Sequence, residues 1–291
     1  MARRIFKQTL RDGQFKYGDH FRVPENIPRP HATSSVQFCQ KITPEYLPQI
    51  RDSARIAASA LLLSRSLAKP GVTTEHIDTE VSRYIVSRSA YPSGIGFMGF
   101  PKSICTAVNE VVAHGIPDDR PLVDGDIVNF DVTCYKNGYY GDNSDMALVG
   151  NVDPSGKHLV EATREALQAA INVCRPGQKF SAIAEAIEAV ASFHRFNVVD
   201  YFCGHFIGRE MHIPPNIHHT RGVDMMKKLV MEEGMLFTIE PILVEGSTEA
   251  EVWKDGWTYV TKDKGRTAQC EHMILITKNG NEILTIPDES F

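Results

Sequence analysis

The chain has 291 residues, 42% hydrophobic and 23% charged, with a formal net charge of −5. That length suffices for one large domain or two small ones with a sizeable core, and an acidic balance gives no footing for DNA as a partner. The six cysteines, at 39, 105, 134, 174, 203 and 270, contain no CxxC pair, which argues against a zinc ribbon or a disulfide framework and for a reducing compartment.

Residues 1–30 are basic: Arg3, Arg4, Lys7, Arg11, Lys16, Arg22 and Arg29 stand against Asp12, Asp19 and Glu25. Ile5, Phe6 and Leu10 add a short apolar stripe. Such a start suits an organellar presequence or a basic arm lying on the domain, and VPENIPRPHA at 23–32 is expected to be extended. The expected division is an N-terminal extension over 1–40 and a single domain over 41–291. Periodicity predicts a helix over 47–68, stopped by Lys69-Pro70-Gly71, and a second over 74–89 capped by Thr73 or Thr74. The first contains the best apolar run, AASALLLS between Arg55 and Arg65, which is too short to span a membrane. Strands are predicted from 104 to 150, helices over 156–173 and 180–195 broken by Arg175-Pro176-Gly177, and strands from 198 onward.

The order helix, helix, strands therefore occurs twice, and details recur with it. KPGVTTEHI (69–77) resembles RPGQKFSAI (175–183), and GDIVNFD (125–131) resembles GMLFTIE (234–240). The nearly constant offset points to a duplicated α/β unit. Two halves packed about a pseudo-twofold axis would bring Asp131 and Glu240 face to face.

Within NFDVTCYKNGYYGD, Asn137-Gly138 is a strong hairpin signal. A two-residue loop pairs Lys136 with Tyr139 and Thr133 with Asp142, so Asp131 and Asp142 become diagonal neighbours on one face. Two carboxylates in an apolar strand pair are costly to bury and repel each other. A shared proton is one remedy, and a bound divalent cation is another. TIEPILVEG and AQCEHMILIT each add a carboxylate, Glu240 and Glu271, read as lying in apolar strands. Four such groups exceed the needs of one cation and suggest two. In GHFIGREMHIPP, His212 is the expected imidazole ligand, suited to zinc, manganese, iron or cobalt.

FPKSICTAVNEVVAHGIPDD, DGDIVNFDVTCYKNGYYGD, GHFIGREMHIPP, FTIEP, DGWT and AQCEH together resemble the type I methionine aminopeptidases over roughly residues 40–287. The resemblance implies an α/β pita-bread fold, two pseudo-symmetric halves of helices packed on a curved antiparallel sheet. It implies a dinuclear centre held by Asp131, Asp142, His212, Glu240 and Glu271, with Asp142 and Glu271 bridging. It also implies removal of initiator methionine from nascent chains when the second residue is small. The short His212–Glu240 spacing leaves no room for the type II insertion. With only Cys39 ahead of the domain, the cytosolic zinc fingers have no counterpart, and the proline-punctuated entry resembles organellar members.

In this setting Glu240 is expected to move the proton to the leaving amine, His114 to contact substrate and His219 to stabilise the tetrahedral oxygen. Phe97, Phe100, Cys105 and Trp257 match the methionine slot, where sulfur–aromatic contact favours a thioether. A monomer near the ribosome, in the mitochondrion or else the cytoplasm, completes the expectation. The alternatives are a non-catalytic module and a dipeptidase of the same fold. The chain departs from the family with Phe206 for a usual Gly, Ile213 for Glu, Asn143 for Thr, Ala113 for Cys, and Phe97 and Phe100 for tyrosines. Phe206 and Ile213 put the geometry of the His212 loop in question.

Overall fold

A computed structural model describes residues 10–30 and 41–288. Arg3, Arg4, Ile5, Phe6, Lys7, Cys39 and the end of the entry segment lie outside the described residues.

The four long helices begin and end where their punctuation dictates. Helix α1 (Leu47–Leu67) starts with a proline in its first turn, buries Ile50, Ala54, Ala57 and Leu61 along one stripe, and stops ahead of Pro70. Helix α2 (Thr74–Ser87) is capped by Thr73, whose Oγ1 accepts from the His76 N–H at 3.1 Å. Helix α3 (Pro154–Val173) is capped by Asp153, which accepts from Ser155 N and Gly156 N. Helix α4 (Ser181–His194) ends on Arg195 in the left-handed conformation, φ 62°. One short helix, Asp224–Lys228, falls in the stretch expected to be all strand.

The duplication is visible in the packing. Ile77, Val81 and Ile85 of α2 join Ala57 and Leu61 of α1 over Val128, Phe130 and Val132 in one core cluster. Leu159, Ala166 and Ile171 of α3 join Ile183 and Ile187 of α4 over Phe237, Ile239 and Ile274 in another. The leading glycines of the two repeated strands match as well. Gly125 (φ 97°) donates to Val149 O and Gly234 (φ 86°) to Ile276 O. Both need a positive φ that a side chain would strain.

In the first half the Ile127–Lys136 strand lies between Cys105–Val108 and Tyr139–Leu148, all antiparallel. The hairpin has the expected register, with Lys136 opposite Tyr139 and Thr133 opposite Asp142. Asn137 and Gly138 supply its two positive φ values. In the second half the strands run Gly280–Ile283, His272–Thr277, Leu236–Ile239, Gly204–Phe206, Ile213–Ile217 across an antiparallel sheet. The halves are stitched by Glu271 N donating to Ser144 O at 2.8 Å and Asn129 Nδ2 donating to Gln269 O at 2.9 Å.

Residues 10–30 lie on the domain. Leu10 is buried in the first core and its N–H donates to Glu110 Oε1 at 2.6 Å. Gly18 N donates to Glu75, and Lys102 Nζ, itself buried, donates to Asp19 O and Glu75 Oε1, each at 3.0 Å. Among the described residues no helix is long and apolar enough to cross a membrane.

Candidate metal centre and substrate cavity

The sheet interface between the halves lines a cavity of about 320 Å³ with Asp131, Asp142, Glu240 and Glu271 at its floor. Asp131 and Asp142 are strand residues, as expected. Glu240 and Glu271 are not. Glu240 follows the last residue of Leu236–Ile239, and Glu271 sits between Thr267–Gln269 and His272–Thr277, joined to Ser144 only by an isolated bridge. These breaks turn the carboxylates away from the flat sheet toward the hairpin aspartates.

Each carboxylate is oriented by its own neighbours. Thr133 Oγ1 donates to Asp142 Oδ1 at 2.6 Å across the hairpin. Thr238 Oγ1 donates to Glu240 Oε1 at 2.9 Å and accepts from His205 N at 3.0 Å, and Gln269 Nε2 donates to Glu240 Oε2 at 3.2 Å. No lysine or arginine forms an ion pair with any of the four acids among the described residues. Burial, followed by the charge of Asp142, holds Asp131 and Glu271 well above the ordinary carboxylate range, and Glu240 likewise. Burial also pushes Asp142 up to about 6, against the opposing bond from Thr133. Four oxygen donors with no organic cation to neutralise them form a set suited to hard or borderline divalent ions.

The histidine beside this cluster is His205, which the sequence reading passed over. Its Nε2 lies 3.7 Å from both Asp142 Oδ2 and Glu240 Oε1. Asp142, His205 and Glu271 can bring one ligand atom each within 4.8 Å of one another. His205 Nδ1 faces the Phe206 carbonyl at 3.1 Å, an oxygen that can only accept, so the proton sits on Nδ1 and the Nε2 lone pair is turned toward the carboxylates. His212 is the residue to correct. It lies on the cavity wall in edge contact with Phe97 and His205, at 5.2 and 4.2 Å between ring centres, and among the described residues it forms no hydrogen bond or ion pair with the acids. The reason is local. The register of Gly204–Phe206 against Ile213–Ile217 shifts within the strand, and the bulge aims His205 inward.

His219 needs a second correction. It is 2% exposed, is absent from the cavity lining, and its Nε2 accepts from the Glu240 N–H at 3.3 Å. It braces the backbone of Glu240. His114 does line the cavity, in the left-handed conformation (φ 57°), with Phe202, Tyr259 and Trp257 around it at 5.1, 6.0 and 6.3 Å. Phe97, Phe100, Cys105 and Trp257 line it too, with Phe100 edge-on to Trp257 at 5.2 Å. Phe202 and Met211, which the sequence did not single out, complete the apolar wall.

The departures at 206 and 213 turn out to be core matters. Phe206 and Ile213 are cross-strand partners, both buried, and Phe206 packs between Phe180 and Phe237 at 5.6 and 5.7 Å. They face the α3–α4 core, on the opposite side of the strand from His205.

Residues 48–278 match the model of metallopeptidase family M24, and the chain belongs to that family. Within it the chain falls with the methionine aminopeptidases. A mitochondrial methionine aminopeptidase 1D from Homo sapiens is 46% identical over 276 residues, spanning 92% of this chain and 81% of the relative. The chloroplastic/mitochondrial 1D protein of Arabidopsis thaliana is 48% identical over 81% of this chain and 67% of its own. The crystal structure of methionine aminopeptidase from Rickettsia prowazekii aligns with TM-score 0.81 at 40% identity, covering 85% of this chain and all of that one. A prolidase from Pyrococcus furiosus, at 20% identity and TM-score 0.67 over 86% of this chain and 66% of its own, shares the pita-bread fold.

Proposed function

We propose that this metallo-aminopeptidase removes the initiator methionine of nascent chains, with metal held by Asp131, Asp142, His205, Glu240 and Glu271. The observation that carries the reading is the convergence of four carboxylates, Asp142 and Glu271 buried and Asp131 and Glu240 half-buried, and one correctly tautomeric imidazole in an aromatic cavity. The number of oxygen donors supports two ions, with Asp142 and Glu271 central to the cluster; cobalt, manganese, iron and zinc all suit the mixed oxygen and nitrogen donors. Such ions would supply an acidified water and polarise the scissile carbonyl.

The chain's own groups do the rest. Phe97, Phe100, Cys105 and Trp257 take the methionine side chain, whose soft sulfur suits ring edges. His114 and His212, on the walls, are placed to hydrogen-bond the peptide on either side of the scissile bond. Glu240, fixed by Thr238 and Gln269, receives the proton of the attacking water and passes it to the leaving amine. Small second residues are preferred because Phe202 and the His114 ring crowd the next position. Mitochondrial localisation is supported by the basic N-terminus and by the organellar names of the relatives. Residues 10–30 are held on the domain, which supports their being part of the working enzyme. Action on nascent chains fits a site close to the ribosome, and the monomer is the proposed working unit.

The test is hydrolysis of Met-Ala-Ser and Leu-Ala-Ser by the metal-loaded protein. Release of methionine, lost with chelator, and a kcat/KM for the Met peptide about 10–200-fold higher are expected, since a branched Cδ cannot thread between the rings. Equal rates on both peptides would refute the slot assignment. A fluorescent fusion of the full chain that stays diffuse in the cytosol would refute the localisation.

A further inference from the structure

A groove of about 460 Å³ adjoins the substrate cavity, and Tyr201 and Phe202 line both. Its base is a three-stranded sheet whose innermost strand leads to His114. In that sheet Tyr259–Thr261 lies between Val111–Ala113 and Ala250–Val252, with Tyr259 opposite Ala113. Alternation puts Val260 in the first core and places Ala250 and Tyr259 on the other face. There both pack, with Phe202, on a buried cluster that includes Ala113, Val199 and Ile242. The Val199 N–H donates to Ile242 O at 3.0 Å, which fixes the chain just ahead of Asp200 and Tyr201. The groove wall is therefore preformed.

The rings continue from the methionine slot to the groove. Between ring centres, Trp257 is 6.3 Å from His114, His114 is 5.1 Å from Phe202, and Phe202 is 5.2 Å from Tyr201 and 5.1 Å from Tyr259. Tyr201 stacks with Tyr259 at 6.4 Å and is 42% exposed, so ring surface remains uncovered at the outer end of this line. Charge along the groove is uneven. Glu249 pairs with Lys262 at 3.3 Å, whereas Asp200, exposed beside Tyr201 in the chain, forms no ion pair among the described residues. An open aromatic face next to an unbalanced carboxylate complements a lysine or arginine side chain.

With methionine in the slot and the second residue against Phe202 and His114, an extended chain advances about 3.3 Å per residue. The rings of Tyr201 and Tyr259, just past Phe202, then lie beside the next two residues. We propose that the groove binds the third and fourth residues of the substrate chain, and that Asp200 and Tyr201 make it favour a basic side chain there. This assignment rests on the methionine-removal reading above.

The test is steady-state hydrolysis, by the metal-loaded full chain, of Met-Ala amide and of the amidated tetrapeptides Met-Ala-Lys-Lys, Met-Ala-Ser-Ser and Met-Ala-Glu-Glu. Among the tetrapeptides kcat/KM should fall in that order, with about 3–10-fold between the lysine and glutamate peptides, carried by KM and shrinking at about 1 M salt. Asp200→Lys, a change at an exposed position, should invert the order while leaving hydrolysis of Met-Ala amide unchanged. Tyr201→Ala should cost the lysine tetrapeptide about threefold more than it costs Met-Ala amide. Release of methionine with no order among the tetrapeptides, an order unmoved by Asp200→Lys, or equal losses on both substrates in Tyr201→Ala would each overturn the groove assignment and leave the methionine reading standing. Failure to release methionine from any of the four substrates would overturn that reading, and the groove with it.

Discussion

The two halves of the molecule carry their acids on different kinds of backbone. In the first, Asp131 and Asp142 sit on an uninterrupted hairpin whose strands pair from Ile127–Leu148 to Lys136–Tyr139. In the second, Glu240 and Glu271 stand at strand breaks and His205 on a bulge. The first half is a rigid platform on which side-chain direction follows from alternation alone. The second bends to meet it. A duplicated unit has thus kept its cores and helix pairs while its inner edges diverged, and the divergence is where the imidazole enters. The lesson is that pseudo-symmetry predicts which strands face each other but not which side chains turn inward.

The largest test of that contrast falls on the hairpin. Asp142→Asn should lower metal stoichiometry and cost several kcal/mol of transition-state stabilisation, roughly 10³-fold or more in kcat/KM. Near-normal turnover with full metal would mean that the two halves do not share a centre there.

The next separates the two histidines of the second half. His205→Ala should weaken metal binding, whereas His212→Ala should keep the metal, measured by atomic absorption, and lose about 10²-fold in kcat. The reverse pattern would restore His212 as the ligand and make the bulge incidental.

A smaller effect compares α2 with α4. Asp78 is buried where the equivalent position of α4 is Ala184. Burial pushes Asp78 up to about 6, despite its bonds from Ser103 N and Ile104 N. Because the folded pKa is raised, the stabilising contribution is fully present below the unfolded carboxylate pKa and is lost as pH rises through about 6. Relative to Asp78→Asn, the parent should therefore lose roughly 1–3 kcal/mol of unfolding free energy between about pH 4 and 7. Parallel pH profiles in denaturant titrations would disprove the burial argument.

The smallest concerns the leading glycines. Gly125→Ala and Gly234→Ala each impose a left-handed side-chain residue and should cost about 1–2 kcal/mol. At Gly234 the new Cβ also meets Ile42 O at 3.0 Å, which adds to that cost. A melting temperature for Gly234→Ala equal to that of the parent would show that the backbone near Ile42 yields freely.

Much was readable from the chain alone, and for identifiable reasons. Asn137-Gly138 forced a two-residue hairpin, so the register placing Asp131 and Asp142 together followed from local geometry. Pro-Gly pairs and capping residues set the helix ends to within a few residues, and the recurrence of GDIVNFD in GMLFTIE located Glu240. These are signals of period and turn chemistry, which act over a few residues and survive without tertiary context. His205 and His212 lie seven residues apart in one glycine- and proline-rich segment, and no local rule ranks them. Only a bulge set by packing Phe206 against Phe180 and Phe237, with Thr238 holding the His205 N–H, decides which ring meets the carboxylates. His219 was turned to the backbone of Glu240 by a bond formed across 21 residues, which no local rule anticipates. The sequence by itself determined the helices, the hairpin and the supply of acids. The tertiary structure alone decided the imidazole, because its direction depends on a strand register that long-range packing imposes.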